Sequence, residues 1–203
     1  MFSFIQYLTI NPDGTLPEIP NCLYAYITAG NGIFIHAKRP GLEVLIPVTE
    51  CRIAGLPELT PWVKIEKRVP LHILADILYV SMQCFPSEVL FWFNWGGEWL
   101  INIPEQTART ASVVPCDRND PAGTSALMDL HSHGGLPPFF STIDDRDETG
   151  FRIYAVIGNV DTEPKICVRV GVYKNYFDIS ADLIFEMPGG ITDVYDKRYE
   201  EVI

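Results

Sequence analysis

The chain has 203 residues, 47% of them hydrophobic, which is enough to bury the core of one sizeable domain with a small appendage. With 26 acidic and 15 basic residues its net charge is −11, so it lacks the basic surface that neutralises nucleic-acid phosphates. No apolar run approaches the ~20 residues of a membrane helix, and the N-terminus lacks the basic start of a signal peptide. These features predict a soluble, cytoplasmic protein whose partners are neither nucleic acid nor membrane.

The five cysteines are widely spaced and form no C-x-x-C pair; they are Cys22, Cys51, Cys84, Cys116 and Cys167. An odd number at such spacings argues against a disulfide framework and against a cysteine-rich zinc site. We therefore expect reduced and mostly buried thiols, as in other cytoplasmic proteins.

Residues 1–66 have the pattern of a β-rich region. Short runs of β-branched and aromatic residues at 24–28, 33–37 and 42–48 are separated by glycine-containing turns. His36 lies mid-strand among apolar neighbours, and we expect it to be structural. This N-terminal region shows no catalytic pattern. It would either bind a partner, cover a groove of the following domain or extend that domain's core.

A domain with a different pattern is expected over residues 67–203. Its clearest helix is predicted at 70–84, where an apolar stripe recurs near the helical period after Pro70. That stripe consists of Leu71, Ile73, Leu74, Leu78 and Met82. Strands are predicted at 89–95, 98–103, 112–114, 126–130, 151–157 and 166–173, and a second helix is predicted from Ser141 to about Glu148.

The stretch from Leu130 to Asp145 concentrates the chemistry of the chain. His131 and His133 are spaced i, i+2, so on a strand both imidazoles point to the same side. Imidazole suits zinc, and Asp144 could add a carboxylate oxygen from the first turn of the next helix. Three protein ligands leave a fourth tetrahedral position for water, which is typical of a catalytic zinc site.

The same stretch contains a helix-capping signal. In Ser141-Thr-Ile-Asp144 the serine suits the N-cap position and the aspartate suits N3. Capping alone would explain these two residues, although not the histidines before them. The two roles are compatible, because capping would hold both side chains in place for a metal site.

A hydrolytic site also needs a general base, and three glutamates precede the histidines. Glu88 opens the aromatic strand, whereas Glu98 follows its turn; a strand of this length separates them by about 20 Å. We expect Glu98 to be a solvated turn residue, and Glu105 has no evident anchor in its loop. Glu88 is the predicted base, with an ordinary surface carboxylate as the alternative interpretation.

The complete pattern resembles the JAMM signature of the JAB/MPN metalloproteases, E…H-x-H-x7-S-x2-D. Here it reads Glu88, then His131-Ser-His133, seven residues, Ser141, two residues and Asp144. The resemblance implies that the two histidines and the aspartate bind Zn²⁺. It also implies that Glu88 takes a proton from the attacking water and passes it to the leaving amine. Ser141 would hydrogen-bond that water or stabilise the oxyanion.

The resemblance covers about residues 67–175 and implies a fold. The expected class is α/β (α+β), a cytidine-deaminase-like JAB/MPN fold with a mixed sheet flanked by helices, plus the β-rich N-terminal extension. The implied reaction is hydrolysis of a peptide or isopeptide bond after the C-terminal tail of a ubiquitin-like protein, as in deubiquitinase-like enzymes. The layout also resembles the protein A family of prokaryotic PRTRC cassettes, which implies a ThiF/E1-like protein as a further partner.

The chain departs from the family beside its histidines. Members often carry glycine and an aromatic residue before the first histidine and proline after the second. Here those positions hold Met128-Asp-Leu130 and Gly134-Gly135, and the prolines come later, at 137 and 138. We expect intact ligands, a more mobile loop and an altered groove. A non-catalytic MPN-type interaction module and a zinc hydrolase of small amide conjugates stay open as alternative functions.

Overall fold

The computed structural model describes residues 4–195. Residues 1–3 and 196–203, at the outer ends of the two regions expected from the sequence, lie outside that description. The chain divides into two compact units, and the boundary falls between Glu66 and Lys67.

The first unit is a five-stranded sheet whose strands follow one another in chain order. The strands are β1 (Ile5–Thr9), β2 (Tyr24–Ala29), β3 (Gly32–Arg39), β4 (Leu42–Glu50) and β5 (Trp62–Ile65). β1 joins β2 in parallel, and the other pairs are antiparallel. The three predicted strands are confirmed as β2, β3 and β4, each slightly longer than predicted.

The core of the first unit is apolar, and its one histidine has a partner. Ile27, Phe34 and Leu45 pack together in the buried cluster. The His36 side chain is buried, and its Nε2 lies 3.0 Å from Oε1 of Glu43. A buried imidazole with a carboxylate partner is a satisfied polar group, as expected for a structural histidine.

The second unit contains nine strands and three α-helices within the described residues. The strands are β6 (Leu90–Trp95), β7 (Trp99–Asn102), β8 (Gln106–Arg109), β9 (Ser112–Pro115), β10 (Met128–Ser132), β11 (Phe151–Gly158), β12 (Lys165–Val172), β13 (Asn175–Ile179) and β14 (Thr192–Asp193). The helices are α1 (Leu71–Cys84), α2 (Pro121–Ser125) and α3 (Asp144–Asp147), and a 3-10 turn spans Ala181–Leu183.

Seven of these strands form one mixed sheet. Its order is β13-β12-β11-β10-β6-β7, and β14 pairs with β12. β10 and β11 run parallel, as do β12 and β14, whereas the other neighbours are antiparallel. β8 and β9 form a separate hairpin. The expected mixed α+β architecture is confirmed, and β10 lies inside the sheet with a hydrogen-bonded strand on each side.

The predicted first helix is confirmed as α1, but its buried face differs from the predicted stripe. Leu71 and Met82 are about half exposed, whereas Ser81 is fully buried. A serine can lie inward here because its hydroxyl donates to the carbonyl of Ile77 at 2.8 Å, one helical turn earlier. Apolar periodicity alone cannot detect a polar residue whose hydrogen bond is satisfied within its own helix.

Two further expectations need correction. All five cysteines are free, as predicted, but Cys51, Cys84 and Cys116 are exposed rather than buried. Each of these three lies at the end of an element or in a loop. The second predicted helix is limited to α3, which has four residues. Among the described residues, no helix is long and apolar enough to cross a membrane.

Candidate active site

The two histidines are held by the centre of the sheet. His131 lies on β10, which pairs with β6 on one side and β11 on the other. His133 follows the strand, and its backbone N–H donates to the carbonyl of Ile157 at 2.8 Å. Ser132 faces away and accepts a hydrogen bond from the N–H of Val89 at 2.9 Å. The strand therefore aims both imidazoles at the same point, as the spacing predicts.

The donor atoms of the three predicted ligands lie close together. The Nε2 atoms of His131 and His133 are 3.1 Å apart, and Oδ1 of Asp144 is 3.7 Å from Nε2 of His131. One ligand atom from each residue lies within 4.8 Å of the other two. Bonds of 2.0–2.1 Å to a tetrahedral zinc ion would separate such atoms by roughly 3.3 Å. The three side chains fit a divalent metal ion.

Both imidazoles are set up as neutral ligands. Nδ1 of His133 lies 3.0 Å from the carbonyl oxygen of Pro137. Because a carbonyl only accepts, Nδ1 carries the hydrogen and Nε2 keeps its lone pair for a metal. Burial lowers the pKa of both histidines, and it lowers the pKa of His131 to about 4. At His131 the negative charge of Asp144 opposes this shift, whereas His133 and Arg169 add to it.

Asp144 caps its own turn with one oxygen and faces the histidines with the other. Its Oδ2 accepts the backbone N–H of Ser141 at 2.6 Å. In return, Oγ of Ser141 accepts the N–H groups of Ile143 and Asp144 at 3.2 and 3.3 Å. This reciprocal pair is the predicted capping arrangement. It leaves Oδ1 directed at His131, so capping and metal ligation coexist.

Glu88 joins the same site through strand register. Leu90 is paired with His131 across β6 and β10, which brings Glu88, two residues earlier on the same face, beside His133. The Glu88 side chain is 5% exposed. Burial, and secondarily the charge of Asp144, raises the pKa of its carboxyl to about 7. Such a carboxyl can both accept and donate a proton near neutral pH.

The other two glutamates lie away from this site. The carboxylate of Glu98 is 2.6 Å from Nζ of Lys67, and its side chain is 79% exposed. Glu105 is exposed as well. Glu88 lines the cavity in front of the candidate metal ligands, and neither Glu98 nor Glu105 does.

A cavity of about 440 Å³ opens in front of the three ligands. It is bordered by all five side chains of the signature and by an apolar wall that includes Trp92, Val113 and Phe139. Its volume lies in the usual range of small-molecule and peptide-side-chain sites. The arrangement can hold a metal ion, a carboxyl of near-neutral pKa and a ligand in one space.

One wall of the cavity could not be predicted from the sequence. The β8–β9 hairpin contributes five consecutive residues to it, 111–115. The hairpin is attached to the start of β6, because Oε1 of Gln106 accepts the N–H of Leu90 at 2.8 Å and Glu88 donates its N–H to Arg109 at 2.9 Å. The sequence predicted only the short strand at 112–114. Neither the partner strand β8 nor the position of the hairpin beside Glu88 could be predicted, because both depend on long-range contacts.

The loop after the histidines is attached to the end of β11 rather than loose. Val160 donates its N–H to the carbonyl of Gly134, and Asn159 donates to that of Leu136. Gly134 has φ +54°, and a Cβ there would lie 2.9 Å from the carbonyl oxygen of Pro86. Close packing therefore accounts for this glycine. These contacts argue against the mobility expected from the two adjacent glycines.

We expect Gly158→Ala to disturb the metal ligands from behind. A Cβ at Gly158 would lie 2.3 Å from the carbonyl oxygen of Leu136 and 2.5 Å from the nitrogen of Pro138. Because both contacts are backbone atoms, the loop must shift and carry the Pro137 carbonyl away from His133. We expect a loss of about 1–3 kcal/mol in unfolding free energy and roughly 10–100-fold weaker zinc binding, measured by denaturant unfolding and chelator competition.

Gly135→Ala is the matched control in the same loop. A Cβ there meets only the ring edge of Phe85, at 3.4 Å, and side-chain oxygens of Asp161 beyond that. Its stability and zinc affinity should stay near those of wild type. Equal behaviour of the two variants would show that the Gly158 contact does not support the histidine.

The metal-free protein should become more stable when Glu88 is replaced by glutamine. Folding raises the Glu88 pKa from 4.5 to about 7, so the folded state binds this proton more tightly than the unfolded state. The unfolding free energy of wild type is therefore highest below pH 4.5, where Glu88 is protonated in both states. It falls as the pH rises through about 7, where the folded state must hold a buried carboxylate. At pH 8, Glu88→Gln should exceed wild type by about 1–3 kcal/mol, and the difference should shrink towards pH 5.5. Urea unfolding in a chelator measures it; a pH-independent difference would contradict it.

Comparison with known proteins places this domain in a family. Residues 72–170 match the family model described as prokaryotic homologs of the JAB domain. No curated protein matched the chain. The solution structure of protein DSY2949 from Desulfitobacterium hafniense is 14% identical to this chain, with 64% of this chain and 94% of that chain covered and a TM-score of 0.38. The narrower PRTRC resemblance stays a prediction. The family match includes Glu88, His131, His133 and Asp144, and this chain carries a prokaryotic JAB domain of the JAB/MPN family.

Proposed function

We propose that this protein is a zinc-dependent metallopeptidase that hydrolyses the peptide or isopeptide bond after the C-terminal tail of a ubiquitin-like protein. One observation carries the proposal. A buried carboxyl that is not one of the three candidate ligands, Glu88, lines the same cavity as the ligands, and its pKa is raised to about 7. A purely structural metal site has no use for such a group, because it would only destabilise the fold.

The donor set supports zinc as the metal. Two neutral imidazole nitrogens and one carboxylate oxygen form a mixed set that favours zinc over calcium or magnesium, which prefer oxygen ligands alone. His131, His133 and Asp144 would hold the ion, and three protein ligands are typical of catalytic zinc sites. A zinc ion in such a site supplies Lewis acidity and makes water nucleophilic near neutral pH.

Glu88 is the proposed general base and acid. Among the described residues nothing donates a hydrogen bond to its carboxylate, so the group is free to exchange protons with ligands in the cavity. It would take a proton from the attacking water and return it to the departing amine, which must be protonated to leave. A pKa near the working pH serves both halves of that exchange.

Ser141 is the proposed hydrogen-bond donor to the developing oxyanion. Its Oγ accepts two backbone N–H groups, so its own hydroxyl hydrogen is left to donate. Because Ser141 lines the cavity beside Asp144, that hydrogen can reach a tetrahedral oxygen or the attacking water. One such donor contributes up to about 10²–10³-fold in rate in other hydrolases.

The identity of the substrate rests on the family resemblance and on the shape of the site. A ubiquitin-like tail is slim and extended, and the apolar cavity wall beside β9 suits such a chain. A ThiF/E1-like protein would act in the same system. The cavity volume of about 440 Å³ also suits a small amide conjugate, which makes a small-amide hydrolase the second candidate.

A substrate panel tests the proposal with zinc-loaded protein. The panel contains ubiquitin-like proteins with C-terminal peptide extensions, the same proteins joined to lysine through an isopeptide bond, and small ε-acyl-lysine amides. We expect cleavage after the last residue of the modifier, and slow or no cleavage of the small amides. Cleavage of the small amides alone would favour the second candidate. Modifier binding without cleavage of any substrate would indicate the non-catalytic interaction module.

A further inference from the structure

Asp144 is placed differently from the other two candidate ligands. His131 lies in the middle of the sheet, whereas Asp144 opens α3, which has four residues. So short a helix cannot hold itself, because one hydrogen-bonded turn does not offset the entropy of ordering it. The position of Asp144 must therefore be fixed from outside the helix.

A buried arginine on β12 contacts both ends of the segment that carries Asp144. The Nη1 of Arg169 lies 2.8 Å from Oδ1 of Asp145, immediately after the ligand. Its Nε and Nη2 donate to Oε2 of Glu148 at 2.9 and 2.6 Å, one turn later. At the other end, its guanidinium lies 3.9 Å from the ring centre of Phe140, the residue before Ser141. One side chain thus spans the segment 140–148.

The arginine itself has little freedom. It is 6% exposed, and its guanidinium lies between the rings of Phe140 and Tyr176, each at 3.9 Å. The Tyr176 hydroxyl lies 3.0 Å from the carbonyl of Asp145 and 2.7 Å from that of Glu148, so it can donate to the same turn. A planar guanidinium fixed by stacking and forked hydrogen bonds sets direction as well as distance, which a lysine ammonium would not.

We propose that Arg169 is a positioning residue that fixes the distance and direction of the Asp144 carboxylate relative to the metal. It does so by binding Asp145 and Glu148, without contacting metal or substrate itself. This inference rests on the proposed function only in taking Asp144 as a metal ligand. The rings of Phe140 and Tyr176 stack against the guanidinium of Arg169. The guanidinium in turn binds the carboxylates on α3 and at its C-terminal end. The Asp144 carboxylate is thereby kept opposite the two histidines.

Arg169→Lys tests this positioning role, because lysine keeps the positive charge but cannot form the two directed hydrogen bonds of the planar guanidinium. We expect about 10–100-fold weaker zinc binding, the range seen when partners of metal ligands are replaced, measured by competition with a chromophoric chelator. The cobalt-substituted protein should show a changed visible spectrum, because the carboxylate ligand is displaced. Arg152→Lys is the matched control. Arg152 also forms an ion pair with an aspartate, the partly buried Asp129 on β10, so the zinc affinity and cobalt spectrum of Arg152→Lys should match those of wild type.

A double-mutant cycle separates positioning from general damage to the fold. In protein that already carries Asp144→Ala, Arg169→Lys should have little further effect on zinc affinity, because the ligand it positions is gone. An additive effect would overturn the inference. If Arg169→Lys fails to fold, Tyr176→Phe removes only the hydroxyl that reaches α3. It should weaken zinc binding by a smaller factor, and wild-type affinity in that variant would overturn the inference instead.

The outcomes distinguish this inference from the proposed function. If wild type and Arg169→Lys bind zinc equally, with identical cobalt spectra, the arginine inference fails and the peptidase proposal is untouched. If wild type binds zinc, cleaves no substrate and still shows the Arg169 effect, the inference stands and the peptidase proposal fails. Wild-type protein that binds no metal would overturn both.

Discussion

Glu88→Gln should lower turnover by about 10²–10⁴-fold, the range for removal of a general acid–base group, and should leave zinc binding intact. Glutamine has nearly the shape of glutamate but cannot take a proton from water. Glu88 is not among the three converging ligands, so the metal should be retained at about one ion per chain. Metal analysis and single-turnover cleavage of the best modifier substrate would measure the two effects separately.

Two rival glutamates provide controls for that variant. Glu98 forms an exposed ion pair with Lys67, and Glu105 is exposed in its loop. Glu98→Gln and Glu105→Gln should therefore cleave at the wild-type rate. If Glu88→Gln cleaved within a few-fold of wild type, Glu88 would not be the base, and the raised pKa of its carboxyl would have no catalytic meaning.

The candidate ligands could be predicted because each depends on a local rule. On any strand, residues i and i+2 share a side, so the direction of His131 and His133 follows from their spacing and needs no knowledge of the fold. Ser141 and Asp144 form a capping pair within one turn, which is again local. These rules predict where the side chains point. They do not predict the exact distances or the proton positions.

The place of Glu88 could be predicted only in part. The sequence puts it at the entrance of an aromatic strand, but its approach to the histidines depends on the register between Leu90 and His131, which are far apart in the chain. The raised pKa of Glu88 depends on burial by surrounding elements, the β8–β9 hairpin among them. No pattern of 10 or 15 residues contains that information, so the sequence alone favoured Glu88 among three glutamates but left an ordinary surface carboxylate as the alternative.

The support of Asp144 could not be predicted at all. Arg169 and Glu148 are 21 residues apart and meet only because β12 lies beside β11 in the folded sheet. In the predicted strand 166–173, Arg169 is the one charged residue among mostly apolar neighbours. The short length of α3 could not be predicted either, because this helix is stabilised by tertiary contacts rather than by helix propensity. A capping signal marks where such a helical turn starts but does not determine its length.

His131→Ala should abolish both zinc binding and cleavage. The imidazole Nε2 is 3.1 Å from that of His133 and 3.7 Å from the Asp144 carboxylate, so its removal leaves two ligands and an unbalanced acidic pocket. Bound zinc stabilises only the folded state, by about 4 kcal/mol at a free concentration 1,000 times the dissociation constant. Saturating zinc should therefore raise the unfolding temperature of wild type and leave that of His131→Ala unchanged.

The remaining two histidines are the controls for that result. His72 is exposed on α1, and His36 is paired with Glu43 in the first unit. His72→Ala should keep zinc, stability and activity. His36→Ala should lose stability, because Glu43 loses its buried partner, but it should still show the zinc-dependent rise in unfolding temperature. If His131→Ala kept that rise while His36→Ala lost it, the metal would lie in the first unit, and the JAB-domain site would not be the metal centre.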